Sequence, residues 1–180
     1  MDQEYSLLGF VVIMILYATV GLLAAVGTIS ITRKILGPKA EQFFYGMFLI
    51  LIAAFYLAFV AYFGNAAAWH VETAAVLVFA MISVFGVRIP VALIAGYSLH
   101  GLWDLLHELQ AQGALFALEP GQLTAVPLAY GVFCAVFDVC IAGYSYARRA
   151  EWGAAWTAPP PEAVAPPEGV TPPEGVTPPA

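Results

Sequence analysis

Two histidines and an aspartate recur at helical spacing in the run from Ala95 to Glu108. On a helix with roughly 100° between residues, Tyr97, His100, Asp104 and His107 fall within an arc of about 80°. Consecutive members are three or four residues apart, so their side chains can touch. Because these residue types bind metal ions and transfer protons, the spacing predicts one half of a polar site.

The chain around this polar stripe is strongly apolar. Of its 180 residues, 62% are hydrophobic and only 10% are charged, whereas a soluble domain has roughly 45–50% apolar and 25% charged residues. This composition indicates an integral membrane protein, with the lipid bilayer as its main partner. No basic stripe favours nucleic acid as a partner. Because titratable groups are costly in hydrocarbon, the polar stripe must face the interior of a helix bundle.

Five apolar segments are long enough to form transmembrane helices, which need about 20 residues to cross the hydrocarbon core. They predict an all-α integral membrane bundle with spans at about 7–30, 43–63, 69–87, 90–107 and 124–146. Together these spans make up a predicted transmembrane domain over residues 1–150. Residues 151–180 contain Pro-Pro-Glu-Gly-Val-Thr repeats, and this composition predicts a disordered, Pro-rich cytoplasmic tail.

Basic residues mark alternate connections between the predicted spans. They follow the first, third and fifth spans, at Arg33, Lys34, Lys39, Arg88, Arg148 and Arg149. The positive-inside rule therefore predicts an N-terminus outside and a C-terminus in the cytoplasm. On this topology Glu41 and Arg88 lie at the inner interface, where their side chains can reach toward water.

The predicted topology assigns a depth to each polar residue, because a helix rises 1.5 Å per residue. Counted from the cytoplasmic side, His100 lies near the midplane, whereas Asp104 and His107 lie toward the outer face. Glu72, on the third span, reaches the level of Asp104 and His107. Asp138, on the fifth span, lies within roughly one or two helical turns of the depth of His100. We therefore expect an outer layer of Glu72, Asp104 and His107 and a deeper layer of His100 and Asp138.

The outer layer has the composition of a metal site. Two carboxylates and an imidazole suit a divalent ion such as Zn, Mn or Fe, so Glu72, Asp104 and His107 are candidate ligands. A water molecule bound to the metal could hydrolyse a lipid-phase substrate at the outer face. In the deeper layer, His100 is a candidate ligand or general base and Asp138 is its orienting partner. These two are the candidate catalytic residues.

Three other interpretations of the same residues stay open. Histidine and aspartate form proton or solute paths in membranes, although five spans without an inverted repeat make a poor carrier. Haem ligation is disfavoured, because His100 and His107 lie seven residues apart on one helix and cannot both be axial ligands of one haem. Alternatively, His100–Asp138 and Glu72–His107 are buried pairs that fix helix register, each contributing about 1 kcal/mol.

Several of these motifs resemble one protein family. The resemblance rests on Glu72 and on the segments Glu41–Tyr45, Ile52–Tyr56, Gly96–His107 and Tyr130–Asp138. The third segment reads Gly-Tyr-x-x-His-Gly-x-Trp-Asp-x-x-His. Together they are similar to a domain-of-unknown-function family of small bacterial multi-pass membrane proteins, over roughly residues 41–146. The resemblance implies the bacterial inner membrane as the location and implies no activity.

Two functions from different classes are compatible with these observations. The first is a membrane-embedded polar site that opens toward the outer face, binds a metal ion and hydrolyses a lipid-phase substrate. The second is a non-enzymatic accessory or scaffold subunit that packs against a larger membrane complex. Its partner would be another membrane protein or a second copy of this chain. The lack of a recognisable soluble catalytic domain favours the second function.

Overall fold

A computed structural model describes residues 7–111 and 122–158. These residues form five α-helices and no strand, which confirms the predicted all-α class. The helices are α1 (Leu7–Ile35), α2 (Pro38–Phe63), α3 (Trp69–Gly86), α4 (Pro90–Ala111) and α5 (Tyr130–Thr157). The predicted tail from residue 159 onward and most of the predicted loop between α4 and α5 lie outside the described residues.

Four of the helices, α1, α2, α3 and α5, are long and apolar enough to cross a membrane. This finding is compatible with the predicted membrane protein. The fourth helix, α4, falls short in apolarity because it carries the polar stripe together with Glu108 and Gln110. Its mean hydropathy averages a polar face and an apolar face.

Proline and glycine set several of the helix boundaries. Pro38 lies in the first turn of α2 and Pro90 begins α4, where a missing backbone N–H costs nothing. Gly64 ends α2 in the left-handed conformation, with φ of 68°. Four predicted spans thus lie within the observed helices or differ from them by one residue. The fifth does not.

Both ends of α5 differ from the predicted fifth span. The helix begins at Tyr130 rather than 124, because the preceding segment is non-helical and the Thr124 backbone N–H donates to Glu72 over 2.8 Å. It continues to Thr157, so the first residues of the predicted tail, from 151, are helical. The reason is packing: Trp152 is fully buried and its indole donates to Glu41 over 2.9 Å.

Glu41 is the centre of a polar cluster between the start of α2 and the end of α5. Besides Trp152, the Tyr144 hydroxyl donates to its carboxylate, and Arg148 Nη2 donates to Oε2 over 2.8 Å. The residue is fully buried. The expectation that Glu41 reaches toward water at an interface is therefore wrong, because three side chains of α5 satisfy its carboxylate inside the bundle.

The basic connections meet at one end of the bundle. Lys39 Nζ and the Arg88 guanidinium lie 5.3 and 5.5 Å from the ring centroid of Trp156, near the end of α5. Arg148 reaches Glu41 at the same end. The helices thus alternate in direction as the charge pattern requires. Which end faces the cytoplasm stays a prediction.

Glycines allow α4 and α5 to approach closely along the polar stripe. A Cβ atom added to Gly131 would lie 2.4 Å from the backbone oxygen of Asp104. A Cβ atom on Gly101 would lie 3.2 Å from the Cβ atom of Asp138. The helix backbones are therefore near contact at these positions, and this proximity brings Asp138 beside His100.

Candidate functional site

The centre of the candidate site is a group of three side chains from α4 and α5, which we call the triad: His100, Asp104 and Asp138. His100 Nδ1 lies 2.6 Å from Asp138 Oδ2 and 3.3 Å from Asp104 Oδ2. One ligand atom from each residue lies within 4.8 Å of the other two. All three residues are at most 1% exposed. An imidazole nitrogen and two carboxylate oxygens thus converge on one buried point.

Several polar atoms of the triad have no hydrogen-bond partner among the described residues. They are Asp138 Oδ1, Asp104 Oδ2 and His100 Nε2. Buried polar atoms nearly always have a hydrogen-bond partner, so these three atoms are the ones that a water molecule or an ion could contact. The His100 ring packs edge-on against Phe79, with ring centroids 4.9 Å apart.

Tyr56, on α2, fixes the position of Asp104 from the other side. Its hydroxyl donates a hydrogen bond to Asp104 Oδ1. Its ring lies against His107, with centroids 4.2 Å apart. Because Tyr56 is only 1% exposed, water cannot readily replace this bond. Tyr56 is thus in contact with the site, whereas the hydroxyl of Tyr97, on the polar stripe of α4, donates to the Tyr45 carbonyl instead.

Glu72 and His107 form a second polar group, separate from the triad. His107 Nε2 lies 2.8 Å from Glu72 Oε1, and His107 Nδ1 lies 2.9 Å from the Trp103 carbonyl. Glu72 Oε1 also accepts the Thr124 backbone N–H. Both imidazole nitrogens therefore face oxygen acceptors. The ring has to donate to the carbonyl through Nδ1, and one further proton is shared with Glu72.

The structure divides the five predicted site residues differently from the sequence-based layers. All five are buried and lie on the expected three helices, but Asp104 belongs with His100 and Asp138 rather than with Glu72 and His107. The physical reason is the direction of helical side chains, which tilt toward the N-terminus of their helix. Asp104 therefore leans back one turn toward His100.

The contact between Thr124 and Glu72 carries no side-chain signal in the sequence. A backbone N–H makes it, and any residue except proline at position 124 has that group. The contact depends on the path of the segment before α5, which covers the Glu72–His107 pair. Only the structure can reveal this kind of partner.

Two cavities border the polar groups. One, of about 330 Å³, lies at the end of the bundle where α4 ends and is lined by His107, Asn65, Gln110 and Thr124 among others. The other, of about 340 Å³, lies between α1, α2 and α5, and Asp138 is part of its lining. The first cavity leads to the Glu72–His107 pair and the second leads to the triad.

Comparison with protein-family models, with curated proteins and with solved structures gave no match for this chain. The resemblance of the Gly96–His107 motif to a family of bacterial membrane proteins therefore stays a prediction. The function proposed below is argued from the chain's own residues.

Proposed function

We propose that this chain is a five-span membrane protein that binds one divalent metal ion at the triad. The observation that carries the proposal is the convergence of His100 Nδ1, Asp104 Oδ2 and Asp138 Oδ2 in a buried site. Imidazole and carboxylate ligands suit Zn, Mn or Fe. Tyr56 supports the metal site by orienting Asp104, as outer hydrogen bonds orient metal ligands in other proteins.

The charge of the triad supports a divalent ion in particular. With a neutral imidazole and two ionised carboxylates, the group carries two negative charges. Isolated charges of this kind cost several kcal/mol each when they are buried. A divalent cation cancels both charges, and protons on the same groups are the alternative. Metal binding therefore competes with protonation at this site.

The surface of α4 supports its assignment as the fifth membrane span. Its buried side chains include Tyr97, His100, Asp104, His107 and Glu108. Apart from Ser98, its exposed side chains are apolar, and Leu99, Leu102, Leu105 and Leu109 are between 41% and 53% exposed. A helix at a water-facing surface has the reverse arrangement. With polar groups inside and leucines outside, α4 suits hydrocarbon surroundings.

Hydrolysis of a lipid-phase substrate is the reaction that we propose for the loaded site. A divalent metal lowers the pKa of a bound water molecule and so supplies a nucleophile. The cavity beside His107 would admit water from the predicted outer face as far as the Glu72–His107 pair. Glu72 and His107 would then hold and pass protons at the outer end of the site rather than bind the metal.

Metal analysis of the purified full-length protein tests the proposal. We expect about one metal ion per chain in wild type after purification without chelator, and its loss in Asp104→Asn and Asp138→Asn, because each variant removes a charged ligand. Glu72→Gln is the matched control, since it alters a buried carboxylate of the separate pair and should retain the metal. The measurement is inductively coupled plasma mass spectrometry.

Two results would contradict the metal proposal in different ways. A wild-type protein without stoichiometric metal would remove it, and a partner recovered by crosslinking from the same membranes would then favour the accessory subunit. Loss of the metal in Glu72→Gln and its retention in Asp138→Asn would instead restore the ligand set of Glu72, Asp104 and His107.

A further inference from the structure

The cavity that includes Asp138 has the composition of a binding site for an apolar molecule with one polar end. We call it the α1–α2 groove. Ala24 and Thr28 of α1 form one wall, Phe48 and Phe55 of α2 form the other, and α5 forms the floor with Phe133 and Asp138. Its volume of about 340 Å³ falls in the range of ligand sites, which are roughly 300–1,000 Å³.

Asp138 supplies the polar end of the groove. It is fully buried, and its Oδ1 atom has no hydrogen-bond partner among the described residues, while Oδ2 is held by His100. At the rim, Phe55 is 53% exposed, so the groove communicates with the surroundings of the bundle. A molecule in the groove would thus have its polar end at the triad and its apolar part between α1 and α2.

We infer that the α1–α2 groove binds a lipid with a single hydrocarbon chain, whose hydrogen-bond-donating end group contacts Asp138. This inference rests on the proposed function, which sets the triad within a bilayer, and it adds the substrate class. An apolar cavity of about 150 Å³ binds one benzene ring, which has six carbons. By this comparison, the groove of about 340 Å³ accommodates one chain of roughly a dozen carbons, and not two such chains.

A second, larger groove between α3 and α4 provides an internal comparison. Its volume is about 610 Å³, and it is lined by apolar residues together with His70 and Trp103. None of the three triad residues lines it. A lipid there would meet mostly apolar side chains and no carboxylate, so we expect ordinary, non-saturable lipid contact in the α3–α4 groove.

Photo-crosslinking of the full chain in lipid nanodiscs tests the inference. The probe is a dodecanol analogue with a diazirine on its chain, and mass spectrometry locates the labelled residues. We expect saturable labelling of α1 and α5 residues in the α1–α2 groove, suppressed by excess dodecanol. In Ala24→Phe, the added ring fills the groove and should lower this labelling about tenfold, equivalent to ~1.4 kcal/mol of binding free energy.

Leu23→Phe is the matched control for Ala24→Phe. Leu23 is the neighbouring residue of α1 and is 64% exposed, so the same ring is added outside the groove. In this variant, the residues of the α1–α2 groove should be labelled to the same extent as in wild type. In Asp138→Ala, we expect dodecanol to compete about tenfold less well, because the end group loses its acceptor.

Three outcomes would overturn the inference. They are non-saturable labelling spread equally over both grooves, labelling that Ala24→Phe leaves unchanged, and saturable labelling by a two-chain phosphatidylcholine probe at the same residues. The metal content of the same samples separates the two proposals. Saturable groove labelling without bound metal would support lipid binding in the α1–α2 groove and contradict metal binding at the triad. Bound metal without saturable labelling would support metal binding and contradict lipid binding in the groove.

Discussion

At the residue scale, the two carboxylates of the triad are held by groups of different character. Asp138 contacts the His100 imidazole at 2.6 Å, whereas Asp104 accepts a hydrogen bond from the Tyr56 hydroxyl. One carboxylate is therefore oriented by a group that can itself bind a metal, and the other by a group that only positions it. Tyr56 acts on the proposed metal ion through Asp104.

Replacing Tyr56 with phenylalanine tests this positioning role. We expect Tyr56→Phe to retain the metal site but to weaken metal affinity about tenfold, because outer hydrogen bonds typically contribute 10–100-fold. Competition titration against a metal-binding dye measures the affinity. Tyr62→Phe is the control, since Tyr62 lies on the same helix and is 83% exposed. Equal affinities in the two variants would contradict a role for the Tyr56 hydroxyl.

At the element scale, the site depends on the close approach of α4 and α5. Gly131 lies against the backbone of α4 at Asp104, and Gly101 lies against α5 at Asp138. A side chain at either position would separate the two helices. Since His100 and Asp138 belong to different helices, their separation would open the triad.

Gly131→Ala should therefore disrupt the site without altering any of its polar residues. The new methyl group would lie 2.4 Å from the Asp104 backbone oxygen, and backbone cannot move aside as a flexible side chain does. We expect loss of metal together with destabilisation of roughly 1–3 kcal/mol or more. Gly143→Ala, on the same helix with open space around it, should be neutral. Unfolding in mixed micelles measures both variants, and equal stability would contradict the close approach.

The contact between the start of α2 and the end of α5 depends on Glu41. In Glu41→Gln, the shape is retained but Arg148 loses its buried counter-charge. We expect destabilisation of about 3 kcal/mol, the lower end of the range for breaking a buried pair, because Arg148 remains 13% exposed. Glu151 also contacts Arg148 but is 54% exposed, so Glu151→Gln should cost less than about 1 kcal/mol.

The same unfolding measurement compares the two glutamate variants. Similar losses of stability would show that the Glu41 cluster is no stronger than a surface ion pair. A larger loss in Glu41→Gln, accompanied by exposure of Trp152 to a fluorescence quencher, would support its role in attaching the end of α5.

At the scale of the whole molecule, the Glu41 cluster and the triad lie at different depths of the bundle. Glu41 lies in the first turn of α2 and Tyr56 lies fifteen positions later, so the clusters are separated by roughly 22 Å along that helix. The cluster at Glu41 accompanies the basic end of the bundle, and the triad lies toward the other end. The positive-inside rule then predicts a site nearer the outer face.

Cysteine labelling tests this orientation. In a background of Cys134→Ser and Cys140→Ser, which removes both free cysteines, single cysteines are introduced as Gln122→Cys and Thr157→Cys. A membrane-impermeant maleimide added to intact cells should label position 122 and not position 157. Labelling of position 157 alone would show that the predicted topology is inverted. The cavity beside His107 would then face the cytoplasm.

Much of the helical organisation could be predicted from the sequence. The thickness of hydrocarbon requires long apolar runs, and these runs gave five helices, most with boundaries within a few residues of those observed. The polar stripe on α4 was predictable for a similar reason, because its spacing depends only on the geometry of a single helix. The α5 boundaries were not, since Trp152 extends that helix through a contact with Glu41, distant in sequence.

The sequence by itself determined that Glu72, His100, Asp104, His107 and Asp138 are buried together, since titratable groups in apolar helices must avoid hydrocarbon. Only the tertiary structure decided which of them are partners. That choice depends on the tilt of the Asp104 side chain toward His100 and on the glycines that allow α5 to pack closely against α4. Residue types and helical spacing do not specify the angle or the distance between two helices. That angle and that distance determine which ligand atoms converge.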